Sequence, residues 1–380
     1  MTLPFKRDLV KWFVKNILLP QVVRIDSPGF IVTVKNAQGA QISQRNVLLS
    51  ETQLAEFEKG LVKKFGEEGK KIAYSIGKNH GNAYCNSFEI PRLKEGGEKT
   101  VDNFIPFFMS FMGATWGNFP EYDYDLKKKI VKFGMADHIV CRKNGLGYML
   151  GAGVLAGGWA WIVHDTSVEG VQTQCTGRGD KECRLICAPA DYLKKQGLAP
   201  FIFKADAAFQ MSGTYNEMNA IRKPEYSRAS LKSMIESNIF KFERNKLSFH
   251  GERYFQAGIE LLYLIELTAA EKKGVKELLF STAFEQGKKI AESEKGNDYS
   301  VFIPDFISAT GFGEVLITGK AGEFAVQVNY FPWLTPYDKI TYSYYKGLLS
   351  GLLTGFSGKV SKLTEHAIDV SGGQLKLSIW

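Results

Sequence analysis

Two stretches of this chain repeat each other, and that repetition limits the folds open to it more than any other feature. LLSETQLAEFEKGLVKKFGEEGKKIA at 48–73 lies over ELTAAEKKGVKELLFSTAFEQGKKIA at 266–291 without gaps, at an offset of 218 anchored by the shared pentapeptide GKKIA. FIP at 104–106 returns at 302–304, and GVLAGGW at 153–159 matches GLLSGLL at 347–353 at an offset of 194 that continues to the carboxyl end. A module that closes within roughly 200 residues and then recurs accounts for 380 residues better than two unrelated domains do.

Each copy has the same coarse pattern. A turn-and-strand opening, SPGFIVTVKNAQGAQI or SFHGERYFQAGIELLYLI, leads into a helix, in the first copy with Leu54, Phe57, Leu61 and Phe65 at three- and four-residue intervals. Strands follow, plainest in EVLITGK and EFAVQVNYF, and then a helix carrying Gly153 and Gly157 in one copy and Gly347, Gly351 and Gly355 in the other. Glycines four apart share a face and admit a close neighbour, either another backbone or a flat ligand. Each copy ends in two alternating runs around a Gly-rich turn, the pattern of a hairpin.

Charge and motif content exclude several function classes. The net charge of +8 suggests a nucleic-acid partner, but the lysines are scattered among acids on amphipathic helices, as at Lys63–Lys64, Lys70–Lys71 and Lys288–Lys289. There is no helix-turn-helix, zinc-finger or RNA-binding signature, so nucleic acid is not an expected partner. No apolar run reaches the length of a membrane span, and MTLPFKRD lacks a signal-peptide layout, so a cytoplasmic location is expected. Residues 3–20 place Lys6, Arg7, Lys11 and Lys15 among apolar residues. A helix docked on the protein is the preferred expectation for them, ahead of one resting on an anionic membrane surface. No catalytic triad order, P-loop or nucleotide fingerprint is present, and His80, His138, His164, His250 and His366 show no metal-ligand spacing.

FGEEGKKIAYSIGKNHG, GYMLGAGVLAGGW and above all CTGRGDKECRLI together resemble the 4-vinyl reductase-like domain found in phenol-sensing activators, hydrocarbon-binding proteins and bacteriochlorophyll biosynthesis. The resemblance covers 25–190 and, more weakly, 236–380. It implies an α+β fold of two homologous modules, each a small antiparallel sheet covered by helices, arranged as an internal pseudo-dimer. The expected organisation is an amino-terminal helix at 1–24, a first module at 25–190, a linker at 191–235 and a second, degenerate module at 236–380.

The function implied is binding or sensing of a small aromatic or hydrocarbon ligand without catalysis. Tetrapyrrole vinyl reduction, as an enzyme or accessory subunit, and an interaction scaffold are the alternatives. A second copy or another protein stays open as a partner. The aromatic-rich stretch 104–124 reads as core or as the wall of an apolar pocket, with Phe108, Trp116, His138, Gly153 and Gly157 as candidate ligand contacts. Zinc-binding relatives use the two motif cysteines, a glutamate three residues before them and a cysteine on the glycine-spaced helix. Here those places hold Cys175, Cys183, Gln172, and Met149 or Leu150. Cys187 shares strand parity with Cys183, and Cys141 or His164 could complete a set. Either zinc, in the first module alone, or a pair of unmetallated thiols fits this pattern; the second copy has Asp369 and Leu377 in place of the motif cysteines.

Overall fold

The computed structural model describes residues 23–25, 30–35, 41–94, 97–99, 101–102, 105, 109, 116, 118–205, 225–226, 228–243, 246–319, 324–331, 340–369 and 374–379. Phe108 and nearly all of the expected amino-terminal helix lie outside these residues. Val23 and Arg24, within that expected helix, instead form a two-residue strand, β1 (Val23–Arg24).

Local sequence sets each boundary. Strand β2 (Phe30–Lys35) pairs with β3 (Gln41–Ser50), and Ser50 caps helix α1 (Glu51–Phe65) by accepting from Gln53 N at 3.2 Å. Glu51 in the first turn and Lys63 and Lys64 in the last oppose the helix dipole. Gly66, at φ +59°, ends α1 and lets the chain pass directly into α2 (Glu67–Ser87). Beyond these come β4 (Asn118–Asp125), β5 (Ile130–Ala136), the short α3 (Cys141–Asn144) and the largely buried α4 (Met149–Ile162). The expected hairpin follows as β6 (Val168–Gln174) and β7 (Cys183–Pro189), its turn a short 3-10 segment at Thr176–Arg178. The described parts of 191–235 hold most of α5 (Ala190–Lys195), which begins at Ala190, and most of α6 (Leu231–Glu236), which ends at Glu236.

The second half runs β8 (Lys241–Glu243), β9 (Lys246–Phe249), β10 (Glu252–Gly258), α7 (Ile259–Glu271), α8 (Val275–Ser293) and α9 (Tyr299–Ala309). It closes with β11 (Glu314–Thr318), β12 (Ala325–Asn329), α10 (Ser343–Ser357), β13 (Leu363–Asp369) and β14 (Gln374–Ile379). The chain is therefore α+β. Among the described residues it has three antiparallel sheets: β4-β5-β7-β6, β11-β12-β14-β13, and a six-stranded sheet, β1-β2-β3-β10-β9-β8, to which both halves contribute. No helix among these residues is long and apolar enough to cross a membrane.

Two close helix crossings organise the core. A methyl group on Gly153 or Gly157 of α4 would lie 2.2 Å from Tyr74 O or 2.0 Å from Lys78 O of α2. Gly347 and Gly351 of α10 stand in the same way against α8, with Phe280 O at 2.4 Å and Phe284 O at 2.0 Å. Distances this short mean that only glycine fits. Gly81 of α2 faces Val154 O and Gly158 N of α4, and Gly287 of α8 faces Leu348 O and Leu352 N of α10. Gly81 and Gly287 are 206 positions apart, whereas the two GKKIA segments are 218 apart: the first opens α2 and the second closes α8. The gap-free alignment at 218 is therefore not a structural equivalence, since it displaces the second helix by about three turns.

Candidate ligand cavity and metal centre

Where α2 passes β10, a cavity of about 20 Å³ lies among His80, Tyr84, Trp116, Gly158, Gln256 and Gly258. That is room for about one water. His80 and Tyr84, one helical turn apart, line the same wall of it. His80 is 2% exposed, and burial pushes its pKa down to about 3, leaving the ring neutral. Its Nδ1 lies 3.3 Å from Glu260 Oε1, which also accepts from Gln44 Nε2 at 3.1 Å. The Tyr84 hydroxyl is buried with no hydrogen-bond partner among the described residues, and its pKa is driven up by burial and by the nearby Glu260. Trp116 donates from Nε1 to Gln256 O at 2.8 Å and meets Phe255 edge-on.

Of the residues expected to contact a ligand, Trp116 lines this cavity and His138 does not. Gly153 and Gly157 are spent on the helix crossing, while their neighbours Gly81 and Gly158 form cavity wall. His80 and Gln256 carried no signal in the sequence beyond the four-residue spacing of His80 and Tyr84, because the cavity joins segments about 175 positions apart.

The cysteine motif forms a second centre. Sγ atoms of Cys141, Cys175 and Cys183 all lie within 4.8 Å of one another, and all three residues are buried. Cys141 therefore fills the place expected of Cys187. Cys187 is four residues further along β7, roughly 13 Å away at strand rise, paired with Val131 and Gly170 and held near Glu169 and Lys78. Full burial raises its thiol pKa. His164 lies exposed beyond α4, outside the group.

Cys175 and Cys183 flank the hairpin turn, which Asp180 fixes by accepting from Cys175 N at 2.7 Å. Cys183 Sγ is 3.4 Å from both Thr176 N and Thr176 Oγ1. Hydrogen bonds from the Cys141 and Cys175 thiols and from Thr176 hold Cys183 far below the usual thiol range, whereas hydrogen bonding with Cys175 and Cys183, together with burial, pushes Cys141 well above it. A thiolate supported in this way is a natural ligand for a soft divalent ion, and three sulfurs at this spacing fit zinc. Gln172 stands where the relatives' glutamate would be; its Nε2 donates to Cys141 Sγ at 3.3 Å and its Oε1 accepts from Tyr148 N at 2.9 Å.

No protein-family model matches the chain, and no curated protein matches it. Among solved structures, it is similar to the crystal structure of the phenol-responsive sensory domain of the transcription activator PoxR with phenol. The identity is 15% and the TM-score 0.35, over 52% of this chain and 98% of that one.

Proposed function

We propose that the chain is a small-molecule-binding protein made of two copies of one α+β module, with one ligand site, in the first copy, closed by the second. The observation that carries the ligand site is the Tyr84 hydroxyl, buried beside neutral His80 at this small, partly open cavity, with no partner among the described residues. An unsatisfied buried hydroxyl costs about 1–3 kcal/mol, and the polar group of a small, mainly apolar ligand would recover it. An aromatic ring exceeds the present cavity, so binding involves side chains moving aside. This reading rests on the cavity and not on the likeness to the phenol-responsive domain.

Duplication is supported by three symmetric features. In the central sheet Asn46 pairs with Gly258 and Ser50 with Tyr254, pairings that exchange under one shift of 208 (258 − 50 and 254 − 46). Glu58 accepts from Leu150 N at the start of α4, and Glu266, again 208 further on, accepts from Tyr344 N at the start of α10. The glycine crossings repeat in the same manner. The site itself does not repeat. Gln286 stands for His80 at the offset of 206 and reaches Tyr254 OH, and around Tyr254 the space is filled by Phe240, Phe249 and Phe306. The same reading gives the cysteine group one structural zinc per chain, because Asp369 and Leu377 stand 194 positions on from Cys175 and Cys183.

The test is titration of the full chain with phenol and with cyclohexanol, followed by tryptophan fluorescence, in wild type and Tyr84→Phe. Saturable binding that weakens about tenfold in Tyr84→Phe, with thermal stability unchanged or raised, is expected. Absence of saturable binding by either probe, or a variant that loses stability but not affinity, would refute the proposal. Separate halves are unsuitable, since each lacks part of the cavity wall.

A further inference from the structure

The geometry points to His138 as the fourth ligand of a Cys3His zinc centre, in place of the carboxylate that the motif leads one to expect. This rests on reading the cysteine group as a metal centre. His138 Nδ1 lies 3.6 Å from Cys141 Sγ. A sulfur and an imidazole nitrogen on one tetrahedral zinc are separated by roughly 3.6 Å, from bond lengths of about 2.3 and 2.05 Å, so His138 stands at ligand spacing from Cys141, and a turn of its ring toward Cys175 and Cys183 would complete the set, since the three sulfurs alone lie within 4.8 Å of one another.

The backbone between the two is held in an unusual shape. Asp137 has φ +57° and Val140 has φ +67° and ψ −40°, a region that a β-branched residue enters only at a cost of about 1–3 kcal/mol. Two hydrogen bonds impose it: Val140 N donates to Glu51 Oε1 at 2.8 Å, and Ile139 N to Trp116 O at 2.9 Å. The effect of the turn is to bring His138 and Cys141, three residues apart, to one point.

Two neighbouring oxygen-bearing side chains are already engaged. Gln172 presents its amide nitrogen to Cys141 and its oxygen to Tyr148 N. Asp180 is exposed and holds Cys175 N through Oδ2. Gln172 thus becomes a positioning residue whose amide would support the Cys141 sulfur once zinc has displaced its proton, and exchanging carboxylate for imidazole would change the centre's net charge from −2 to −1. Tyr148 packs on His138 at 5.3 Å and on Trp116 at 6.3 Å between ring centroids, so the metal loop and the cavity wall share one aromatic neighbour.

The experiment is zinc K-edge absorption spectroscopy of the full chain loaded with one equivalent of zinc, together with zinc affinity by competition with a chromophoric chelator. Three sulfurs and one nitrogen with imidazole outer-shell scattering are expected. His138→Ala should lose that scattering and weaken zinc about tenfold or more, whereas Gln172→Ala should keep it with a smaller loss. Zinc bound by three sulfurs and an oxygen, with no imidazole, would overturn the role of His138 while leaving the metal centre standing. Failure of the wild-type chain to bind zinc would overturn both. The wild-type spectrum decides the matter even if His138→Ala does not fold.

Discussion

Replacing Gly157 or Gly351 with alanine tests the helix crossings and the duplication together. The added methyl carbon would fall 2.0 Å from Lys78 O in the first case and 2.0 Å from Phe284 O in the second. A carbon and a carbonyl oxygen need roughly 3.2 Å, so each pair of helices must part by about 1 Å, and gaps of that size forfeit a quarter to a half of each dispersion contact along the crossing. Overpacking of this kind costs about 1–3 kcal/mol before those losses are counted, and the better helix propensity of alanine returns about 1 kcal/mol. We expect a net loss of about 2–3 kcal/mol in each variant, with a matching fall in the urea midpoint. Gly134→Ala is the control: its methyl carbon would meet nothing closer than Glu121 Cβ at 3.4 Å, so stability should stay within about 1 kcal/mol of wild type. If Gly157→Ala unfolds no earlier than the control, α2 and α4 do not approach as described. If Gly157→Ala is costly and Gly351→Ala is harmless, the two crossings are not equivalent and the duplication fails.

Glu58 is fully buried, and burial raises its pKa to about 8, so its contribution to stability is complete below about pH 4.5 and is lost as pH rises from there through about 8. Replacing it with Gln should remove a slope of up to about 1.4 kcal/mol per pH unit across that window; denaturant unfolding at several pH values checks this, and an unchanged slope would count against a buried, protonated Glu58. Cys187→Ser should leave zinc stoichiometry at its wild-type value while costing about 1–3 kcal/mol for burying a hydroxyl in place of the thiol. Cys141→Ser should abolish stoichiometric zinc; metal analysis showing the reverse would return Cys187 to the centre.

Elements governed by near neighbours were legible from the residues alone. Alternation marked β11, β12 and both closing hairpins, and apolar spacing marked α1, because periods of two and 3.6 are set within a few residues of chain. The glycine spacing of α4 and α10 was legible as well, although not its purpose: backbone contact with α2 and α8 rather than ligand contact. The repeated GKKIA misled the alignment because a short amphipathic string suits either end of a helix, and local pattern carries no record of which turn crosses which.

The candidate sites depended on chain closure. Cys175 and Cys183 stood out as a motif, yet their third partner, Cys141, lies 34 residues upstream of Cys175 and reaches them only because a strained turn is fastened to Glu51 and Trp116. The cavity needed β10 beside β3, a pairing of segments roughly 200 residues apart that sets Gln256 against Trp116. Sequence by itself thus determined α1, α4, α10, the closing hairpins and the types of donor present, but IELLYLI, the first half of α7, read as part of a strand opening. Only tertiary structure decided which donors meet, because the energies of burial and hydrogen bonding that bring them together belong to contacts between distant segments.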